Sequence, residues 1–342
     1  MKLKKKILTS FLVIILVSIL LSIFGIISLN SKINSEEDIV LIIEKNMTIS
    51  QVLSELNKKQ ILTPNILYKI VIKIYVNVTD AKIYAGVHKF NHNLTNIQLI
   101  AQLLSYDNLQ TVKVTFPEGI SIRRFASILQ NKMEIDSADF FNYCNDVEIC
   151  KSLNVEQNSL EGYLKPVTYT FSIGSSIIDI LKLLTKEQIK EINKYEVEIK
   201  KIKYNEHQIL TLASIIEAET PVIAERKRVS GVYHNRLNKG MLLQADPTFQ
   251  YIFKERKQRI LYSDLTIDNP YNTYKYAGLP PGPINNPSPS SIEAAVFPEE
   301  HDYYYFVAVG DGTNKHNFST NYSQHQRYKQ IYKKNLTQAK SK

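Results

Sequence analysis

The chain has no tryptophan and only two cysteines, and glycine (11) and proline (12) are both scarce among its 342 residues. A collagen-like or low-complexity class is therefore excluded, as is a small scaffold stapled by disulfides. Several chemical signatures are missing as well. The histidines show no H-E-x-x-H spacing and the cysteines no C-x-x-C, so no metal site is expected. There is no G-x-x-x-x-G-K-S/T phosphate loop and no G-x-S-x-G nucleophile elbow, and no cofactor is called for.

An excess of one charge sign is missing from the body of the chain. The formal net charge of +9 invites a nucleic-acid reading. Residues 1–29 hold four lysines and no acid, however, and residues 326–342 hold six bases and no acid. The segment 30–325 carries 32 bases against 33 acids. A body this close to neutral is a poor grip for a polyphosphate, so no nucleic-acid partner is expected.

The first positive feature is an uncharged run from 7 to 29, nearly all Ile, Leu, Val, Phe, Ser and Thr. As a helix it would be about 34 Å long, enough to cross a hydrocarbon core of about 30 Å. A cleaved signal peptide shares the lysine-rich start, but this run is longer than a usual signal core and no small-x-small site follows it. An uncleaved anchor in the lipid bilayer is the expectation. The positive-inside rule puts Lys2, Lys4, Lys5 and Lys6 in the cytoplasm and everything after Ser31 outside it, across the cytoplasmic (inner) membrane. Cys144 and Cys150 then sit where a disulfide could form, given a loop or bend between them; two buried free thiols are the equal alternative.

Beyond the anchor, 44% hydrophobic residues can furnish more than one core. A strand is expected over 40–43 and a helix over 48–58, and the same pattern recurs 73 residues later with a strand at 112–116 and a helix from 121 to 129. Thr48 and Ser121 precede the helical runs as N-caps. A further strand and helix fall at 85–90 and 94–104. The expected class is α+β, with a small strand-turn-helix module at 36–110 and a second such unit and connection over 111–159. Whether this part binds a polymer or is a plain spacer is undecided by its side chains.

The composition shifts at 160, after which 16 of the 21 tyrosines occur. Five prolines crowd into 280–289, which reads as a stiff surface loop. A helix over 208–219 carries Ile209, Leu212, Ala213 and Ile216 on one face. Thr220 and Pro221 stop it, and a second helix follows to Lys239. Glu217 and Glu219 lie near the end of the first helix, at opposite margins of the apolar stripe. The helix dipole and partial burial both raise a carboxyl pKa there, as a general acid near neutral pH requires. Periodicity does not choose between the two, and either could instead be a solvated glutamate paired with Arg226 or Arg228. Downstream, Gln244, Asp246 and Thr248 place an amide, a carboxylate and a hydroxyl within five residues. Tyr271, Asn272 and Tyr274 add two rings flanking an amide, a set suited to sugars unless it serves turns.

Together these stretches resemble the YceG-like family of endolytic murein transglycosylases. The matching segments are LEGYL at 160–164, LASIIEAET at 212–220, VYHNRL at 232–237, GM at 240–241 and LQADPT at 243–248. They continue with YNTY at 271–274, GLPPGPINNP at 278–287, SIEAA at 291–295, YFVA at 305–308 and HNFS at 316–319. After 164 the family usually has an aromatic, Pro and Asp where this chain has Lys165, Pro166 and Val167. The resemblance implies a LysM-like small module, a catalytic domain over 160–335 and a basic tail at 336–342, after a cytoplasmic tip and anchor at 1–32. It places the catalytic glutamate on Glu217 and substrate contacts on Glu161, Tyr163, Glu219, Asn235, Gln244, Asp246, Thr248, Asn272 and Tyr274. The implied reaction cuts the bond between N-acetylmuramic acid and N-acetylglucosamine in nascent glycan strands and leaves a 1,6-anhydro end. The implied partners are peptidoglycan strands and the synthases that make them. A muramidase using Asp246 or Glu161 as second carboxylate, and a scaffold that binds peptidoglycan without cutting it, are the alternatives.

Overall fold

The computed structural model describes residues 15, 16, 19, 22–62, 70, 72, 82–253, 257, 260, 261 and 263–340. Most of the expected anchor at 7–29 lies outside them. Residues 22–30 are helical, and no helix among the described residues is long and apolar enough to cross a membrane. The chain divides into two compact units, one of residues 1–113 and 170–175, the other of 114–169 and 176–342. The expected connection at 111–159 thus gives most of its residues to the second unit.

In the first unit, β1 (Ile39–Ile43) pairs antiparallel with β2 (Gly86–Phe90), with Ile39 opposite Phe90 and Ile43 opposite Gly86. Side chains alternate, so Ile39, Leu41 and Ile43 point into the core while Val40 and Ile42 are exposed. Helices α1 (Ile49–Lys58) and α2 (Asn96–Leu103) cover the inner face with Val52, Leu53, Leu56, Leu99, Ile100 and Leu103. Both begin in the same way. Thr48 with Gln51, and Thr95 with Gln98, each form a capping box in which side chain and backbone satisfy one another's free groups.

Strand β3 (Thr111–Thr115) ends in the second unit, at Val114 and Thr115, and leads into α3 (Ile122–Met133), α4 (Ser137–Cys144) and α5 (Val147–Ser152). Strand β3 pairs with β4 (Thr168–Ser172), and within this unit the Phe116 amide donates to the Val167 carbonyl at 3.2 Å. Helices α6 (Ile177–Ile192), α7 (Glu196–Lys201), α8 (Glu206–Glu219) and α9 (Arg226–Asn238) follow, then α10 (Asp246–Tyr251) and α11 (Pro289–Val296). An antiparallel hairpin, β5 (Tyr305–Ala308) and β6 (His316–Ser319), precedes a final helix, α12 (Tyr322–Lys340), so most of the basic tail is helical. Cys144 and Cys150 are both buried and both free.

Helix α8 is the centre of this unit. Every residue from Ile209 to Ile216 is buried, rather than one face alone. Its polar members are tolerated because they bond within the helix: Thr211 donates to the His207 carbonyl and Ser214 to the Thr211 carbonyl, each at 2.7 Å. Ser214 also accepts the Ile284 amide at 3.0 Å, while its carbonyl accepts from Asn285 Nδ2 at 2.8 Å.

Those last two contacts show that the proline-rich stretch is not a surface loop. Residues 282–288 are buried against α8. Prolines suit this position because each brings one backbone donor fewer to satisfy. Asn286 handles much of the rest. Its Oδ1 accepts the amides of Gly162 and Leu164 at 2.9 Å each, and its Nδ2 donates to the Ile120 carbonyl at 3.0 Å and to Glu161 at 2.9 Å. Gly162, at φ +87°, is seated so close to Pro283 that a Cβ would lie 2.4 Å from the proline ring.

Candidate active site

A cavity of about 1090 Å³ opens in the second unit. The start of α3, the end of α8, helix α10 and the loop at Ile284 and Asn285 line it. Among the described residues its acidic members are Glu161, Glu219 and Asp246.

Glu219 is the last residue of α8, where partial negative charge from the helix carbonyls disfavours a carboxylate. The Tyr233 hydroxyl, on α9, donates to its Oε1 at 2.7 Å. Among the described residues Oε2 has no hydrogen-bond partner. Burial pushes this carboxyl up to about 7, and the negative charge of Asp246 adds to the rise; the Tyr233 hydrogen bond and the charge of Arg236 oppose it. Asp246 begins α10 and accepts a hydrogen bond from the Tyr274 hydroxyl.

Glu217, two residues earlier, is not itself among the lining residues but packs directly behind one of them, Gly119. Arg226 Nη2 donates to its Oε1 at 2.7 Å, and Oε2 accepts both the amide of Ser288, at 3.0 Å, and its hydroxyl, at 2.5 Å. The Glu217 and Arg226 side chains are 6% and 5% exposed. Arg226 is further held by the hydroxyls of Ser288 and Ser290. Gly119, at φ +69°, closes over the pair, since a Cβ there would meet Glu217 Cγ at 3.0 Å. The glutamate is paired with Arg226, as one reading of the sequence had it, but the pair is buried instead of solvated.

Glu161 is buried at the start of α3. The expected cap, Ser121, makes no side-chain bond there; Glu161 Oε1 accepts the Ile122 amide at 3.0 Å instead. Burial pushes its carboxyl up to about 8, against the pull of the Ile122, Tyr251 and Asn286 donors and the charge of Arg123.

The remaining sequence candidates do not line the cavity. Tyr163 bonds His207 Nδ1 at 2.9 Å, and His207 Nε2 reaches the Pro281 carbonyl. Asn235 donates to the carbonyls of His301 and Tyr303, fastening α9 to the segment before β5. Thr248 and Thr273 share a hydroxyl contact at 2.8 Å, and Asn272 donates to the carbonyls of Leu265 and Ile267. These four brace loops. Gln244 is exposed at φ +49°, its amide donating to the Thr273 carbonyl. Tyr274 belongs to the site through Asp246.

Nothing in the sequence pattern marks Tyr233, Ser288, Asn286 or Arg123 as site residues. Tyr233, Asn286 and Ser288 lie in or beside the matched segments, but their roles depend on contacts between distant parts of the chain.

The YceG-like family model matches residues 41–331. The protein named endolytic murein transglycosylase in Bacillus subtilis (strain 168) is 36% identical over 243 residues, covering 67% of this chain and 68% of that one. Its namesake in Streptococcus pneumoniae serotype 2 (strain D39 / NCTC 7466) is 28% identical over 305 residues, or 80% of this chain. The match spans only 55% of the streptococcal protein's length. The crystal structure of a yceG-like protein from Listeria monocytogenes superposes with a TM-score of 0.60 at 34% identity, covering 86% of this chain and 99% of that one. With a family model matched over most of its length and a relative above one-third identity, this chain belongs to the YceG-like family.

Proposed function

We propose that the chain cleaves the glycosidic bond between N-acetylmuramic acid and N-acetylglucosamine within glycan strands, with Glu219 as its acid and base in place of Glu217, the position the family resemblance implies. Relatives at 36% and 28% identity bear the name endolytic murein transglycosylase, and this chain is an enzyme of that kind. The observation that carries the assignment is the contrast between the two glutamates. Glu217, packed behind Gly119, has both oxygens occupied by a guanidinium, an amide and a hydroxyl. Glu219 has one oxygen anchored by Tyr233, a carboxyl near neutrality, and a place in the cavity wall.

In this mechanism protonated Glu219 gives its proton to the glycosidic oxygen as the bond to muramic C1 breaks. The carboxylate left behind takes the proton of the muramic C6 hydroxyl. That oxygen closes onto C1, producing a 1,6-anhydro end with no water consumed. Asp246 has two effects from one charge: it raises the Glu219 carboxyl and stabilises the positive charge developing at C1. Arg226 and Glu217 act behind the wall, fixing the end of α8 against Ser288.

The presence of Asp246 beside the same cavity also favours a second reading, a muramidase in which it activates water. Incubating the full chain with isolated sacculi and identifying new glycan ends by mass spectrometry separates the two. Anhydro ends support the lyase reaction; reducing ends mean hydrolysis; binding without new ends leaves a scaffold.

The membrane setting belongs to the same proposal. Residues 7–29 would anchor the chain with its N-terminus in the cytoplasm and both units outside, where a LysM-like first unit and the cavity meet strands emerging from the synthases. The charge-free run and the lysines before it support this reading. Reporter fusions at either end test the orientation.

A further inference from the structure

We infer that Arg123 binds a carboxylate of the peptide stem carried by the glycan, making the cavity selective for strands whose stems are acidic. This deepens the transglycosylase reading and rests on it. Arg123 lies in the first turn of α3, is exposed, and lines the cavity that holds Glu219 and Asp246. Its guanidinium carbon sits 4.2 Å from the centre of the Phe141 ring, which covers one face of the group and leaves the donor edge free. Phe141 is held by its own neighbour, since Asn145 Nδ2 donates to its carbonyl at 2.7 Å, and Asn145 and Ser159 line the same wall.

Among the described residues no carboxylate stands within ion-pair distance of Arg123. Lys257, the other described cation in the wall, is paired with Asp264 at 2.7 Å. The charge of Arg123 reaches the buried Glu161 carboxyl, but Glu161 Oε1 is already occupied by the Ile122 amide and Asn286. A pre-positioned guanidinium fork facing a substrate cavity suits a planar carboxylate, which it can hold by two parallel hydrogen bonds. The glycan backbone of the substrate is built of uncharged sugar rings. Its anions are the carboxylates of the peptide joined to the muramic lactyl group, on the same sugar whose C1 reacts.

The test is a cycle of two enzymes and two substrates, using the full chain in detergent. Glycan strands with native stems are compared with strands whose stem carboxylates have been converted to amides, and 1,6-anhydro ends are counted. For the wild type, amidation raises KM by about fivefold, the order expected of a partly exposed charge pair. In Arg123→Gln that difference disappears, and in Arg123→Lys part of it returns. Arg124→Gln, the neighbouring exposed arginine outside the cavity wall, keeps the full difference and controls for net charge. A wild type indifferent to amidation, or an Arg123→Gln enzyme that still discriminates, overturns the inference while leaving the transglycosylase reading standing. Absence of anhydro ends from the wild type on either substrate overturns the transglycosylase reading, and this inference with it.

Discussion

Tyr233 donates its hydroxyl to Glu219 Oε1 at 2.7 Å, joining the middle of α9 to the last residue of α8. The bond fixes which carboxyl oxygen is left for substrate, and it favours the charged form of a group that burial holds up to about 7. Removing it with Tyr233→Phe should therefore raise the Glu219 pKa further. The alkaline limb of the pH–rate profile moves upward and the maximal rate of anhydro-end formation falls about tenfold, as a freely rotating carboxyl spends less time aligned. A profile unchanged from wild type would show that the bond is only structural.

Asp246 acts in the opposite sense, because its charge raises the Glu219 carboxyl. In Asp246→Asn the alkaline limb should shift to lower pH. The rate at the optimum should drop by about tenfold to a hundredfold through loss of charge stabilisation at C1. Paired pH profiles of this variant and Tyr233→Phe, moving in opposite directions, are the expected result.

The buried pair of Glu217 and Arg226 should show its role in stability. Arg226→Met leaves a carboxylate without its cation at a site where both side chains are nearly sealed from water. A loss of about 3–5 kcal/mol is expected, read from the urea midpoint. Gly119→Ala should be destabilising as well, since it combines a left-handed backbone with a Cβ 3.0 Å from Glu217 Cγ.

Glu161 predicts a pH dependence of folding. Its folded pKa of about 8 lies above the 4.5 of an unperturbed glutamate, so the folded chain holds this proton more tightly than the unfolded one. The contribution is fully present below about 4.5 and is lost as pH rises to about 8. Glu161→Gln, which keeps an acceptor for the Ile122 amide, should flatten the decline in the unfolding midpoint across that window.

The capping threonines and alternating strands of the first unit were legible because they are local: Thr48 is followed by Gln51, and Ile39, Leu41 and Ile43 alternate with exposed neighbours. The end of α8 at Thr220 was legible for the same reason, whereas the helix expected from Pro221 begins only at Arg226, after a tight 3-10 turn at Ile223–Glu225. What the pattern could not supply was long-range. The buried middle of α8 has an ambiguous stripe because Thr211 and Ser214 read as polar, whereas their hydroxyls bond back to the helix. The proline-rich stretch looked solvated because its partners, Gly162, Leu164 and Ile120, lie more than a hundred residues away, gathered by Asn286. The cap on α3 comes from Glu161, 39 residues beyond Ile122, where Ser121 was the local guess. Glu217 and Glu219 are equivalent on a helical wheel; Arg226, Ser288 and Tyr233 distinguish them, and each comes from another element.

The assignment of Glu219 over Glu217 is tested most directly by counting 1,6-anhydro ends released from sacculi by the wild type, Glu219→Gln and Glu217→Gln, each first shown to be folded at the assay temperature. Glu219→Gln should release none above background, and folded Glu217→Gln should retain activity. Anhydro ends from Glu219→Gln, with none from folded Glu217→Gln, would contradict the account.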